Sequence, residues 1–344
     1  LFENLDLVPH YEEFARLQRE VGEDGVMTAY FTGCPSPIHH IQKQFLDATE
    51  FYFHYKDYEK EMRRLAESME PLYDKALQLT AASPAEVVHW GGNYDDMVTY
   101  PPYFEKDLLP WIRKAADTLG GRGKYVSCHC DGENEGLMDL IRDSGMHVAE
   151  AVCPAPMTKV TIEEYYRRWA DKLTIFGGIP STLLLGESTT DEEFEGYLDR
   201  LFKAVAPGRR MILGIADTTP PQAVFERLVR IGERVEKEGR LPLEGGAFRP
   251  VSPAAAAVEK RVSAEPAAGD ERFRRVRDDV LGGDHAAIQG HILELLEGGV
   301  KADEILQRGL LSAMEVIGER FREGSVFIPE VLLSARAMNT SVLV

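Results

Sequence analysis

The sequence has little cysteine, no long apolar run and no basic N-terminal segment. Four cysteines in 344 residues are too few for a disulfide-stabilised scaffold. No apolar run reaches the roughly 18–20 residues that a membrane-spanning helix needs, and the N-terminus lacks the basic and apolar regions of a secretory signal. We therefore expect a cytoplasmic protein whose thiols stay reduced.

The sequence also lacks an excess of basic residues, because 39 Lys and Arg stand against 57 Asp and Glu, for a net charge of −18. Nucleic acids and anionic membranes attract basic surfaces, which argues against either as the main partner. At roughly 100–200 residues per domain, the length predicts about two domains. The chain begins at Leu1 and ends at Val344 inside an apolar helical pattern, so we expect it to be a piece of a longer polypeptide.

Six short, nearly continuous apolar runs predict buried strands of a parallel sheet covered on both faces. Helical patterns separate these runs, and two of them begin with capping boxes at Thr161 and Thr190. This alternation predicts an α/β fold, either a TIM-like (β/α)8 barrel or a doubly wound sheet. Six strands are two short of a closed barrel, as expected if an N-terminal part is missing. The predicted strands are Val26–Thr32, Val87–Gly91, Lys124–Cys130, Val148–Cys153, Leu173–Gly177 and Met211–Ala216.

Polar residues follow several of these strands directly, where a TIM barrel carries its active site. Alternation along the third strand places His129 and Asp131 on one side and Cys128 and Cys130 on the other. A buried glutamate is costly without a partner, so we expect His129 or a metal beside Glu150. The strand-end residues are Asn93, Asp95, His129, Asp131, Glu150, Cys153 and Asp217.

The amino-acid composition and the hydrophobic periodicity change after residue 245. Residues 246–270 are rich in Ala and Pro and predict an interdomain linker, whereas residues 271–344 show helical periodicity typical of a four-helix bundle. Residues 1–245 then form the barrel domain. Within it, Gly177–Ser181 (GGIPS) predicts a tight βα turn after the fifth strand; alternatively, this segment cradles a phosphate.

Residues 1–245 resemble the uroporphyrinogen decarboxylase superfamily, which includes the decarboxylase and the corrinoid-dependent methyltransferases. The resemblance rests on Gly92–Asp96 (GNYDD), His129–Gly132 (HCDG), Gly177–Pro180 (GGIP) and Leu213–Asp217 (LGIAD), in that order. It implies a TIM-like barrel that acts on a small molecule at its strand ends. The candidate catalytic residues are His129, Asp131, Glu150 and Asp217, and the candidate substrate-binding residues are Asn93 and Asp95.

The resemblance also raises the question of a metal. Corrinoid methyltransferases of this superfamily hold zinc with His-x-Cys on this strand and a later cysteine. Here Asp131 occupies the second position and the later one falls near Asp217, which puts a thiolate zinc site in doubt. A metal site of His129 and Asp131, with Cys153 or Glu150 as a further ligand, stays open. Alternatively, these groups only bind a substrate by hydrogen bonds.

The C-terminal part resembles the helical cap that precedes the cobalamin-binding fold in methionine synthase and in methanogen-type corrinoid proteins. Met314–Phe321 (MEVIGERF) and Gly324–Glu330 (GSVFIPE) carry this resemblance. It implies that Met314, Phe321 and Phe327 cover the reactive face of a corrin and exclude water; alternatively, they are bundle core. The Asp-x-His-x-x-Gly loop of the cobalamin-binding fold does not occur in the sequence, so we expect that fold downstream or in trans, and weak cobalamin binding without it.

Together these features predict a corrinoid-dependent methyltransferase. It would move a methyl group between cobalamin cobalt and a small donor such as a methoxylated aromatic or methylamine-like compound. One alternative is a decarboxylase of the uroporphyrinogen type, which needs cationic side chains for its substrate carboxylates. The other alternative is a non-catalytic corrinoid carrier.

Overall fold

The computed structural model describes residues 5–243 and 271–342. The predicted linker, residues 246–270, lies outside these described residues. The chain forms two compact units, one that contains the sheet and one that is helical, and each is described by itself below. The sheet unit comprises Leu1–Lys43 and Arg63–Ala255, and the helical unit comprises Gln44–Met62 and Ala256–Val344.

The sheet has six parallel strands, and each strand pairs with the next one along the chain. A barrel has this sequential order, whereas the strand order of a doubly wound sheet reverses at a switch point. The sheet unit is therefore a partial TIM-like barrel, and all six predicted strands are confirmed. The strands are β1 Thr28–Tyr30, β2 Val87–Gly92, β3 Tyr125–His129, β4 Val148–Val152, β5 Thr174–Ile179 and β6 Met211–Ile215.

Fifteen α-helices are present among the described residues, and none of them is long and apolar enough to cross a membrane. Thr190 forms a complete capping box with Glu193, and the Thr161 side chain accepts a hydrogen bond from the backbone N–H of Glu164. The helices are α1 Tyr11–Val21, α2 Pro37–His40, α3 Ala48–Asp57, α4 Glu59–Ala82, α5 Pro101–Tyr103, α6 Leu109–Gly120, α7 Met138–Arg142, α8 Ile162–Trp169, α9 Asp191–Ala204, α10 Phe225–Glu238, α11 Arg274–Gly282, α12 Ile288–Glu297, α13 Ala302–Ile305, α14 Ser312–Arg322 and α15 Ile328–Val342.

The two faces of the sheet differ in burial. On one face, side chains such as Val88 and Trp90 are fully buried. On the other face, Tyr30, Tyr125 and Ile212 are 65%, 56% and 46% exposed. The expectation of a sheet covered on both faces is therefore wrong for the described residues. The continuous apolar pattern predicts strands correctly here, but it overestimates how much of their surface is buried.

The predicted tight turn at Gly177 and Gly178 is wrong, because both glycines lie inside β5. A Cβ on Gly177 would lie 2.7 Å from the carbonyl oxygen of Val152 on the neighbouring strand, and φ at Gly177 is +138°. Glycine is required here for close backbone approach within the sheet, which is a common reason for glycine in a strand.

The helical unit contains the predicted four-helix bundle, formed by α11, α12, the joined helices α13 and α14, and α15. A π-helical turn, Leu306–Leu311, joins α13 to α14. The sequence did not predict that α3 belongs to this unit, where it contacts α15. The bundle core consists of Phe273, Val276, Val280, Ile288, Ile292, Ile305, Leu310, Ala313 and Ala337.

Candidate functional site

The centre of the candidate site is a contact between His129 and Glu150. These residues are register partners at the carboxyl ends of β3 and β4, and His129 Nδ1 lies 2.6 Å from Glu150 Oε2. An ionised carboxylate only accepts hydrogen bonds, so Nδ1 carries the proton. Glu150 thus fixes the orientation of the imidazole ring and leaves Nε2 as the nitrogen that can bind a metal or transfer a proton.

Two aspartates approach Nε2 of the same ring. Asp131 Oδ1 lies 3.7 Å from His129 Nε2, and Asp217 Oδ1 lies 3.6 Å from it. Among the described residues, His129, Asp131 and Asp217 form a group whose potential ligand atoms all lie within 4.8 Å of one another. The structure therefore brings together all four residues that the sequence analysis names as catalytic candidates.

The electrostatics of this cluster favour a positive charge at its centre. The hydrogen bond to Glu150 raises the pKa of His129, and the charges of Asp131 and Asp217 act in the same direction, against the effect of burial. Burial raises the pKa of Asp131. Asp131 Oδ1 is buried and accepts no hydrogen bond from any residue that the structure describes. A buried carboxylate oxygen without a partner is costly, and a bound cation or proton would relieve that cost.

The backbone around the cluster is strained. Asn93, Ala151 and Asp217 each have φ of 59°, in the left-handed region. Such a conformation in a non-glycine residue costs on the order of 1–3 kcal/mol and concentrates at functional sites. The strand register also shifts between Ala149 and Val152 and between His89 and Gly92, and bulges of this kind are common next to active sites.

The three cysteines of this region are buried and are not among the grouped potential metal ligands of the described residues. Cys128 Sγ donates to the carbonyl of Trp90 at 3.0 Å, and both Cys128 and Cys130 are buried on the opposite side of β3, as alternation predicted. Cys153 is also buried, its Sγ donates to Ala151 O at 3.3 Å, and burial raises its pKa to about 11. The structure does not bring Cys153 into the group of potential metal ligands among the described residues.

The two predicted substrate-binding residues have different surroundings. Both carboxylate oxygens of Asp95 accept backbone hydrogen bonds, from Met97 at 2.9 Å and from Glu133 at 3.1 Å, so this side chain organises loops. Asn93 is exposed, and its backbone N–H donates to the carbonyl of His129 at 2.9 Å. Asn93 therefore lies beside the cluster with a side chain that remains available.

Sequence reasoning missed His89 and Lys43. His89 lies on β2 between the stacked ring of Tyr30, with centroids 5.6 Å apart, and the ring of His129, 6.3 Å away edge-on. Burial lowers the pKa of His89. Alternation along β2 could have placed it on the site face. Lys43, in the segment after β1, lowers the pKa of Asp131 through its charge, and no motif pointed to it.

The predicted corrin-covering residues lie in the helical unit. Met314 and Phe321 are seven residues apart on α14 and so share one helix face. Met314 packs partly against the bundle core, whereas the Phe321 side chain is 38% exposed. Phe327 is half-buried just before α15. An apolar side chain exposed on this face is consistent with a surface that covers a ligand.

Asp96 gives a prediction that is independent of the cluster. Its side chain is buried, Oδ2 accepts from the backbone N–H of Gly136 at 2.7 Å, and burial raises its pKa to about 6. Because the folded state binds this proton more tightly than the unfolded state, ionisation of Asp96 costs stability as pH rises from about 4 to about 6.

We therefore expect Asp96→Asn to stabilise the protein, with a gain about 1 kcal/mol larger at pH 8 than at pH 5. Asparagine retains a carbonyl that can accept from Gly136. Urea denaturation of both proteins at the two pH values measures the effect, with the half-exposed Asp74→Asn as a control. An equal effect of Asp96→Asn at both pH values would contradict the assignment.

The comparisons with known proteins concern mainly the C-terminal part. Residues 272–344 match the family described as B12 binding domain. Trimethylamine corrinoid protein 1 of Methanosarcina acetivorans is 32% identical over 76 residues, which are 22% of this chain and 35% of that protein. Monomethylamine corrinoid protein 1 of Methanosarcina barkeri is 30% identical over 75 residues, again 22% and 35%. The chain thus spans about a third of the length of these curated relatives.

Among solved structures, a methyltransferase from Methanosarcina mazei aligns with 66% of this chain and 63% of its own length, at a TM-score of 0.49 and 12% identity. The sequential order of the six parallel strands makes the sheet unit a partial TIM-like barrel, and its strand ends carry an imidazole and three carboxylates. The helical unit contains the segment that matches the B12 binding domain family.

Proposed function

We propose that the protein is a corrinoid-dependent methyltransferase that acts at the strand ends of its partial barrel. The observation that carries this proposal is the convergence of Asp131 and Asp217 on His129 Nε2, with Glu150 fixing the ring from the other side. The match of residues 272–344 to a B12 binding domain supports corrinoid as the methyl-accepting or methyl-donating partner. The methyl donor that we propose is a small methoxylated aromatic or methylamine-like compound.

The cluster fits a divalent metal such as zinc. Ligands of a tetrahedral zinc ion lie about 3.4 Å apart when the bonds are about 2.1 Å long, close to the 3.6 and 3.7 Å found around Nε2. His129 Nε2, Asp131 and Asp217 would hold the ion, and Glu150 would act as the outer carboxylate that orients a ligating histidine. The ion would supply Lewis-acid polarisation of the methyl-bearing heteroatom.

The residues of this chain have a defined task in such a reaction. When the methyl group leaves, the heteroatom of the donor keeps the bonding electron pair, so the site must stabilise negative charge or deliver a proton. Glu150 holds the His129 ring in place for either role. If no metal binds, His129 is the proton donor through Nε2–H, because its pKa is raised by Glu150 and the two aspartates.

Cobalamin, when bound, supplies a cobalt centre that exchanges the methyl group with the donor. Met314, Phe321 and Phe327 would cover its reactive face and exclude water. The partial exposure of Phe321 on the same helix face as Met314 fits this role. We propose that the remaining part of the corrinoid-binding structure is supplied from outside the described residues.

Charge argues against the decarboxylase alternative. A substrate with several carboxylates needs cationic partners, whereas Asp131, Glu150 and Asp217 make this cluster acidic. Lys43, an exposed residue in the segment after β1, lowers the pKa of Asp131 through its charge. One lysine does not offset three carboxylates.

The reaction is tested by incubating the protein with cob(I)alamin and a panel of methoxylated aromatic and methylamine donors. We expect methylcobalamin to form with at least one donor, followed by its absorbance. Coproporphyrinogen formation from uroporphyrinogen would instead support the decarboxylase. If no donor yields methylcobalamin, the methyltransferase proposal fails.

The metal is tested separately by zinc titration and equilibrium dialysis. We expect about one zinc per chain, removable by a chelator, and at least about tenfold weaker binding in Asp217→Asn because a ligand is lost. Cys153→Ser is the matched control and should bind zinc as the unchanged protein does. Loss of zinc in Cys153→Ser, with retention in Asp217→Asn, would contradict the proposed ligand set.

A further inference from the structure

Helix α3 has an unusual position in the chain. It lies between β1 and β2 of the sheet unit, yet Gln44–Met62 belongs by its contacts to the helical unit. The polypeptide therefore passes from one unit to the other at residues 43–44 and 62–63, and a third time between the described residues 243 and 271. A helical domain that simply followed the barrel would need only one such crossing.

A specific polar contact joins α3 to α15 inside the helical unit. The two terminal guanidinium nitrogens of Arg336, Nη1 and Nη2, donate to the Asp57 carboxylate, at 2.6 and 3.0 Å. The guanidinium also lies over the ring of Phe53, 4.2 Å from its centroid. His285 Nε2, in the segment between α11 and α12, lies 3.8 Å from the same carboxylate.

This contact differs from an ordinary surface ion pair. The side chains of Arg336 and Asp57 are only 15% and 23% exposed, so water screens their attraction less than it would on an open surface. The bidentate geometry and the aromatic ring beneath the guanidinium add directional constraints. Beside them, Phe51 and Tyr52 of α3 are almost fully buried. The combination has the features of a recognition surface.

We propose that α3 is a docking helix through which residues 1–255 recognise the helical bundle formed by α11 to α15. Its partner is the face of α15 that presents Arg336. The consequence is that residues 1–255 and 256–344 remain associated even without the covalent connection between Ala255 and Ala256. This inference concerns the assembly of the chain and does not depend on the reaction proposed above.

The test uses the full chain with a protease recognition sequence inserted between residues 255 and 256. After cleavage, we expect the two fragments to stay together in native mass spectrometry and size-exclusion chromatography. Arg336→Glu should weaken their association at least about tenfold in a dilution series, because a charge-assisted pair is lost and two like charges face each other. Adding Asp57→Arg to Arg336→Glu should restore most of the association.

Arg322→Glu is the matched control, because it reverses the same charge on an exposed arginine of α14 that pairs locally with Glu319. Circular dichroism before cleavage checks that each variant is folded. Fragments of the unchanged protein that separate on cleavage would overturn the proposal. So would equal retention of the fragments in Arg336→Glu and Arg322→Glu, or a double variant no better than Arg336→Glu alone.

Discussion

His129→Ala should reduce methyl transfer to cob(I)alamin by about 100-fold to 10,000-fold, the usual range for loss of an acid–base group. His129 is the residue that both aspartates and Glu150 approach. If a metal binds, the substitution removes one of its ligands. If no metal binds, the substitution removes the proton donor. The rate of methylcobalamin formation under single-turnover conditions measures the effect.

Two further variants test whether the loss of activity is specific to the His129 ring and its orientation. Glu150→Gln keeps the size of the side chain but weakens the hold on Nδ1, so we expect a smaller loss, about 10-fold to 100-fold. His147→Gln is the control, because His147 lies at the start of β4, at the opposite end of the strand pair, where it accepts from the backbone N–H of Val126 at 3.0 Å. Activity of His129→Ala that equals that of His147→Gln would favour a non-catalytic carrier.

Gly92→Ala should strongly disrupt the sheet unit. A Cβ on Gly92 would lie 2.4 Å from His129 Cβ and 3.1 Å from the His129 carbonyl oxygen. Neither atom can move by a side-chain rotation, so the backbones of β2 and β3 must separate. We expect a loss of about 1–3 kcal/mol in the free energy of unfolding, together with a displaced imidazole ring and a loss of activity comparable to that of His129→Ala.

Urea denaturation and the methyl-transfer assay measure both effects. Gly232→Ala is the matched control, since a Cβ there meets no atom within 4 Å and alanine is the better helix former in α10. Gly92→Ala with unchanged stability and activity would show that β2 does not hold His129 in the way the structure indicates.

The strands and the face of β3 could be predicted from the sequence because they follow from local patterns. Continuous apolar runs mark the strands, and a period of two places His129 and Asp131 on the side away from Cys128 and Cys130. A partner for Glu150, either His129 or a metal, could also be predicted, because a partly buried carboxylate needs a proton donor or a cation. These inferences need no knowledge of distant parts of the chain.

Features that depend on contacts between distant segments could not be predicted. The sequence of α3 is rich in aromatic residues, and nothing in it shows that Asp57 pairs with Arg336, 279 residues away. Gly177 and Gly178 have the composition of a turn but lie inside β5, because the backbone of Val152 approaches closely. The choice between a barrel and a doubly wound sheet likewise required the strand order.

We propose that an imidazole and carboxylates, without thiolates, form the reactive centre at the strand ends. X-ray absorption spectroscopy at the zinc edge of the zinc-loaded protein is the decisive measurement. We expect only nitrogen and oxygen ligands at about 2.0–2.2 Å, with an imidazole contribution that is absent from His129→Ala. A sulfur shell at about 2.3 Å, or a zinc spectrum unchanged in His129→Ala, would contradict it.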